Sequence, residues 1–326
     1  MDYVMNTTTV TPQEEAIKPI LSDQAIAKTS ALVYVYCPLD QVDTILAVLE
    51  RNHINFILND YSITDFKRKL ICHYRSAEFG CEENAFLVAA TESGAWVEPV
   101  VSYLDRRLGF TETELLHPHY FLHQKSFSLL SSAPRRAIKR TLDLFCVMLL
   151  ALIAIPVGLI TAAFIKLESP GPVFFKQRRT GQYNKEFEVI KFRSMRNDAE
   201  KDGAQWASKN DARVTRVGKF IRKTRIDELP QLINIIKGEM SLIGPRPERE
   251  VFIEELEKTI PYYRFRHAIK PGVTGLAQVK YAYGASVEDA VWKHKYDIYY
   301  IKHQSLMLDI KVILLTVKTV VFGMGQ

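Results

Sequence analysis

Residues 142–165 are 24 consecutive positions that carry one charge, Asp143. A chain with such a run has few places to put it. As a straight helix it would be about 36 Å long, enough to cross the hydrocarbon of a bilayer. So long an apolar segment is rare in soluble folds. Two features oppose a simple crossing. Pro156 stands mid-run, where it removes a backbone hydrogen bond and bends a helix. Arg135, Arg136, Lys139 and Arg140 precede the run and Lys166, Lys176, Arg178 and Arg179 follow it, so the preference of cations for the cytoplasmic side selects neither orientation. A re-entrant hairpin, helix–break–helix, satisfies both flanks by entering and leaving on one face. The expectation is a membrane anchor over 139–168, marked by Lys139, Asp143 and Pro156. A straight single pass and a buried soluble helix are the alternatives.

The run also separates two kinds of chain. Residues 1–134 hold 10 Lys/Arg and 17 Asp/Glu, whereas residues 135–326 hold 33 and 20. The basic half is the one expected to meet anions, whether lipid headgroups, nucleotides or nucleic acid. No zinc-finger or RNP-type pattern supports nucleic acid. The polar stretch 1–24 contains no signal peptide and predicts a disordered tail on the cytosolic side. Over 25–130 the pattern predicts a small α/β domain: strands at Ala31–Cys37, Ile54–Leu58 and Ala85–Ala90, and helices at Asp40–Arg51, Ser62–Tyr74 and Glu98–Leu108. The turn Cys37-Pro38-Leu39-Asp40 lacks the glycines of a dinucleotide fingerprint. Nothing catalytic stands out in this half. Cys37, Cys72, Cys81 and Cys146 have no zinc spacing, and ordinary thiols are expected in a cytosolic setting. His117, His119 and His123 are read as surface or core residues before metal ligands. Ser131-Ser132-Ala133-Pro134 suggests a linker over 131–138.

The chemistry concentrates between Lys219 and Glu250, KFIRKTRIDELPQLINIIKGEMSLIGPRPERE. Leu229, Leu232, Ile233 and Ile236 recur at helical spacing, with Gly238 as a stop. That places Asp227 at the N-cap, where the helix dipole favours its anion. Alone, Asp227 would serve equally well as a plain cap. Glu228 adds a second carboxylate on a different face, so the two can divide the tasks of nucleophile and metal ligand. Lys219, Arg222 and Lys223 share a helix face. Pro245-Arg246-Pro247 sets a guanidinium on a stiff turn, although Arg246 is also an ordinary turn residue. Upstream, Val173–Phe175 and Phe187–Phe192 predict strands, the second leading into the phosphate-binding candidates Lys191 and Arg193. Cations, an attacking carboxylate and a magnesium ligand together point to phosphoryl transfer. Val214–Ile226 and Leu306–Phe322 predict amphipathic helices, the first suited to a membrane surface. Lys270–Val279 is turn-rich.

These stretches resemble the bacterial sugar transferases, monotopic polyprenyl-phosphate phosphoglycosyl transferases. The resemblance rests on RKTRIDELPQLINIIKGEMSLIGPRPE, KPGVTGLAQV at 270–279, KFRSM at 191–195, and the segment 139–181. It covers about Lys139 to the C-terminus. It implies a membrane-anchored α+β catalytic domain over 169–326, with a re-entrant hairpin and interfacial amphipathic helices. It implies transfer of a sugar 1-phosphate from a UDP-sugar to polyprenyl (undecaprenyl) phosphate at the inner membrane, with release of UMP. Asp227 would form a covalent phosphosugar intermediate and Glu228 would hold Mg2+. Arg222, Arg246, Lys191, Arg193, Pro245 and Pro247 would line the substrate site. A second copy of the chain, or proteins of polysaccharide assembly, are further partners this reading leaves open. A membrane-anchored, non-catalytic scaffold is the alternative.

Overall fold

The computed structural model describes residues 20–21, 32–122, 127, 130, 132–197, 199, 211–281 and 286–321. Apart from residues 20–21, the tail expected over 1–24 lies outside them, as does His123. The chain forms two compact units, Met1–Tyr103 and Leu104–Gln326. The boundary lies well before the linker stretch at 131–138. Much of that stretch is helical instead: Ser132 accepts a hydrogen bond from the Arg135 amide, and Pro134 occupies the first turn. Serine at the N-cap followed by proline is a start signal.

The first unit is a five-stranded sheet in the order β1-β3-β2-β4-β5. Its strands are β1 (Ile20–Leu21), β2 (Val33–Tyr36), β3 (Phe56–Leu58), β4 (Leu70–His73) and β5 (Trp96–Pro99). All neighbours are parallel except β1 and β3. Helices α1 (Val42–Arg51), α2 (Cys81–Glu92) and α3 (Val100–Leu108) connect and follow them. The α/β expectation stands, with two elements exchanged. Ser62–Tyr74 is not a helix, because its apolar end Leu70-Ile71-Cys72 pairs in register with β2. Ala85–Ala90 is not a strand but the middle of α2, whose start is marked by the Gly80 amide bonded to Glu83. A six-residue apolar run fits either structure, and its flanks decide.

The second unit, which also holds the short helices α4 (Pro118–Leu122) and α8 (Glu250–Leu256), is organised around α5 (Ala133–Glu168), one continuous helix with Pro156 inside it. The expected break is therefore not a break in helical structure. Both ends of α5 are tied to the same body. Near its start, Arg140 donates to the carbonyls of Ile235 (2.6 Å) and Ile236 (3.0 Å), at the C-terminal end of α7 (Gln231–Lys237). Asp143 accepts from the Ser241 hydroxyl (2.7 Å) and the Leu242 amide (3.2 Å) of β8 (Ser241–Ile243). Lys139 meets Asp309 at 3.1 Å, on α11 (Leu306–Val321). The half-buried Lys139 and the buried Asp143 are thus anchors to the protein rather than membrane-facing charges. A carboxylate and its partners reach low energy by pairing, not by entering lipid.

At its far end, α5 packs Ile165 against Phe192 of β7 (Glu186–Phe192) and Ile221 of α6 (Arg216–Lys223). Glu168 accepts from the Val217 amide at 3.0 Å. Between the two anchorages the helix is open, with Leu152 75% and Leu159 69% exposed. β6 (Phe174–Thr180) forms an antiparallel hairpin with β7. β8 pairs in parallel with β9 (Gly272–Thr274). A Cβ on Gly272 would fall 2.1 Å from the Gly244 nitrogen, so the two backbones cross with no space for a side chain. The turn-rich Lys270–Val279 becomes β9 and α9 (Leu276–Lys280), followed by α10 (Val287–His303). The core joins β8, α10 and α11 through Ile243, Ile298, Tyr300, Ile301 and Val312.

Candidate active site

The adjacent carboxylates stand in a single 3-10 turn, Ile226–Glu228, between α6 and α7. The chain enters it through Arg225 at φ 59°, a left-handed conformation that turns the backbone sharply. Asp227 is consequently not the N-cap of α7; Pro230 occupies that place and supplies no capping side chain. The cause is the Leu229-Pro230 step, which ends the 3-10 turn before α7 begins. α7 buries Gln231, Asn234 and Ile235 and leaves Ile233 and Ile236 exposed, so its apolar spacing does not mark its buried face.

Asp227 is 8% exposed, yet its carboxylate makes no hydrogen bond among the described residues. Burial and the neighbouring Glu228 raise its pKa to about 6, against the pull of Lys191, Arg246 and Arg222. The helix-dipole expectation of a readily ionised carboxyl is thereby corrected: desolvation dominates. Glu228 goes the other way. Burial pushes it up, but Arg246 and Lys191 outweigh burial and hold it well below the usual carboxylate range. Glu228 Oε1 receives both Arg246 (2.8 Å) and Lys191 (3.3 Å). Burial lowers the Lys191 pKa, with Glu228 opposing. Two neighbouring carboxyls pushed in opposite directions is an arrangement in which they take different roles.

Both face a cleft of about 1230 Å³. Its lining includes apolar side chains, Leu150, Ile153 and Val157 of α5 with Phe174 and Phe192. It also includes polar ones, Arg222, Arg246, Gln278 and Lys293. An anion with a greasy substituent matches such a cleft.

The structure brings together Asp227, Glu228, Lys191, Arg222 and Arg246. Pro245 and Pro247 are buried and flank Arg246, but only Arg246 of the three is among the residues lining the cleft. Arg193 is different. Its guanidinium donates to the carbonyls of Ser169 (2.8 Å), Pro170 (2.8 Å) and Ile165 (3.3 Å). It satisfies the open carbonyls at the end of α5, a helix-end task, and also lines the cleft. Two further arginines support the site: Arg179, one of the basic residues that the sequence offers for phosphate binding, and Arg266, which sequence reasoning misses. Arg179 donates to the Pro247 carbonyl (3.3 Å) and meets Glu248 (3.4 Å). Arg266 donates to the Arg246 carbonyl at 3.1 Å. Only the position of Arg266, just before KPGVTG, hints at its place.

Among the described residues no three His, Cys, Asp or Glu side chains gather as a ready-made metal cage. Magnesium does not need one; it commonly takes one or two carboxylates together with substrate phosphates and water. Glu228 Oε2 and the Asp227 carboxylate, both without hydrogen bonds among the described residues, are a hard-oxygen pair of that kind.

A family profile described as "Bacterial sugar transferase" matches residues 134–323. The chain is 47% identical over 205 residues to an Aeromonas hydrophila protein named UDP-N-acetylgalactosamine-undecaprenyl-phosphate N-acetylgalactosaminephosphotransferase. That match covers 63% of this chain and 48% of the relative. It is 46% identical over 175 residues to the UDP-glucose:undecaprenyl-phosphate glucose-1-phosphate transferase of Xanthomonas campestris pv. campestris, covering 52% and 36%. It is 41% identical over 189 residues to the exopolysaccharide production protein PSS of Rhizobium leguminosarum bv. phaseoli, covering 55% and 93%. The chain thus spans about half or less of the first two relatives and nearly all of the third.

Proposed function

The chain belongs to the bacterial sugar transferase family, and we propose from that premise that it moves a sugar 1-phosphate from a UDP-sugar to undecaprenyl phosphate. The observation that carries the proposal is Asp227: a buried residue whose carboxylate has no hydrogen bond among the described residues and faces a cleft beside three cations. A carboxyl largely withdrawn from water beside a second carboxylate is costly to ionise, and such perturbed groups gather where chemistry is done. The named activities of the Aeromonas and Xanthomonas relatives support the donor and acceptor classes.

In the reaction, an Asp227 oxygen attacks the phosphorus that bears the sugar. The bond from that phosphorus to the bridging oxygen breaks, and UMP leaves with the electron pair. The lipid phosphate oxygen then attacks the same phosphorus, breaks its bond to Asp227 and restores the carboxylate. The split allows a water-soluble donor and a membrane-bound acceptor to visit in turn. Arg246 and Lys191 hold Glu228 and face the incoming diphosphate, and Arg222 adds a third cation. Magnesium, when held by Glu228, would neutralise diphosphate charge.

The same reading puts the protein at the inner membrane, with both ends of α5 on the cytoplasmic face. Attachment of both ends to one unit supports a re-entrant course, as do the basic flanks. The exposed apolar side chains of α5, with Phe220, Ile236, Leu314 and Val317, suit contact with lipid. Such products begin the synthesis of exopolysaccharide, O-antigen, capsule or glycoconjugate. Incubation with labelled UDP-sugars, undecaprenyl phosphate and magnesium tests the proposal. Release of UMP from one donor is expected, with the label trapped on Asp227 when the acceptor is withheld. No UMP from any donor would favour the scaffold reading.

A further inference from the structure

We infer that Arg266 and Asp297 are positioning residues: a buried ion pair beneath the Pro245-Arg246-Pro247 turn that keeps Arg246 on Glu228. The inference rests on the phosphoryl-transfer reading above. The turn contains two prolines, so its carbonyls are its chief backbone handles. Each of the three is held by a different donor. The Gly272 amide bonds the Pro245 carbonyl at 2.9 Å, Arg266 bonds that of Arg246 at 3.1 Å, and Arg179 bonds that of Pro247 at 3.3 Å. The middle one is the direct support of the residue that reaches Glu228.

Arg266 is itself fixed from below. Its guanidinium meets Asp297 of α10 at 2.8 Å, and each side chain is 2% exposed. It also donates to the Tyr263 hydroxyl and lies 5.0 Å from the centre of that ring. A line of contacts thus runs from α10 through Arg266 to the Arg246 backbone, and from the Arg246 side chain to Glu228, next to Asp227. Stability alone does not account for the pair. A buried ion pair often gains nothing over an apolar replacement of the same volume. Arg266 Nε also has no hydrogen-bond partner among the described residues. Geometry accounts for it: the two outer nitrogens of the rigid guanidinium fork divide the work, Nη1 donating to the Tyr263 hydroxyl and Nη2 donating to the Arg246 carbonyl while it lies in ion-pair contact with Asp297.

The test is a double-mutant cycle on donor kcat/KM, with melting temperature measured alongside. Asp297→Asn and Arg266→Lys are made alone and in the Arg246→Ala background. Each alone is expected to lower kcat/KM by about 10- to 100-fold, the scale of a small misplacement of a working group. In the Arg246→Ala background each should change it no further. A merely structural pair would lower the rate by the same factor in both backgrounds, and that result overturns the inference. So does an unchanged rate in the single variants. Arg266→Lys keeps a charge opposite Asp297, so it decides the matter if Asp297→Asn does not fold. A wild type that releases no UMP from any donor overturns the functional reading, and this inference with it. A wild type that turns over while the cycle shows no coupling overturns this inference alone.

Discussion

The two compact units bury different things. In the first, the interior is Val33, Val35, Tyr36, Phe56 and Ile71, with few polar groups among them. Asn59 is one, and its amide is bonded to the Cys37 backbone on both sides, at 2.9 Å and 3.0 Å. In the second, charge is everywhere inside: Asp105 with Lys302 at 2.8 Å, Glu112 with Lys295, Asp143 with β8, Arg266 with Asp297, and Glu228 with Arg246. Taking an ion out of water costs several kcal/mol even after relaxation (~ that scale). An apolar interior would be the cheaper solution. The second unit keeps its buried ions in pairs, and almost every pair fixes one element against another. Asp227 differs from these carboxylates: it has neither a hydrogen bond nor an ion pair among the described residues, and it faces the cleft. The difference separates an interior that only holds a shape from one in which position of charge is the purpose.

The sharpest way to break the contrast is at that carboxylate. Asp227→Asn removes no hydrogen bond seen among the described residues, so the fold should survive while UMP release falls by roughly 10⁴-fold or more, as for other nucleophile deletions. Near-normal turnover, or a trapped phosphosugar on the variant, would remove Asp227 from its role. Arg246→Ala comes next. It leaves Glu228 with Lys191 and withdraws one cation from the diphosphate, and a loss of about 10²-fold in donor kcat/KM is expected. A change confined to melting temperature would make Arg246 a packing residue.

The third prediction concerns pH. With the Asp227 pKa raised to about 6, the attacking anion is lost as pH falls. Donor kcat/KM should therefore decline about tenfold per unit below that point and level off above it. The stability effect has the opposite sense. The folded pKa lies above the unfolded value of 3.8, so the folded state takes up a proton between them, and this carboxyl weakens the fold as pH rises from about 4 to 6. Asp227→Asn should melt above the wild type at pH 7.5, by an equivalent of at most about 3 kcal/mol, and match it near pH 4. A flat rate profile from pH 5 to 8 would contradict the raised pKa. The smallest effect on turnover should come from the other interior. Ile71→Ala is expected to cost the first unit about 2–5 kcal/mol, seen in its melting, and leave donor kcat/KM at the wild-type level. A matching loss of turnover would show that the first unit governs the second.

Much of the site was legible because its chemistry is local in the chain. Asp227 and Glu228 are neighbours, and Arg222 and Arg246 lie in the same thirty-residue stretch, within a few turns of backbone. Lys191 was named only as one cation among several, and the fold selected it over Arg193. Both line the cleft, but Lys191 of β7 meets Glu228 while Arg193, just past the strand, is tied to the carbonyls at the end of α5, and single charges carry no sign of those partners. The pairing of Arg266 with Asp297 was invisible for the same reason: each is ordinary alone. In the first unit, α1 was readable from its periodicity, whereas Leu70–His73 and Ala85–Ala90 were not, because short apolar runs fit both periods. Asp143 drew notice as the odd charge of an apolar run, but its partners on β8 lie about a hundred residues downstream.

The double attachment of α5 bears on how this protein can be handled. A membrane segment hung from one end of a domain can be cut away to leave a soluble fragment. Here the cut would take Arg140 from the end of α7 and Asp143 from Ser241. It would also take Ile165 from Phe192, which lines the cleft, and from Ile221. The remainder would expose apolar surface and lose the carboxylate that holds β8. Detergent or lipid discs, with the helix left in place, are the medium in which the catalytic unit should keep its shape.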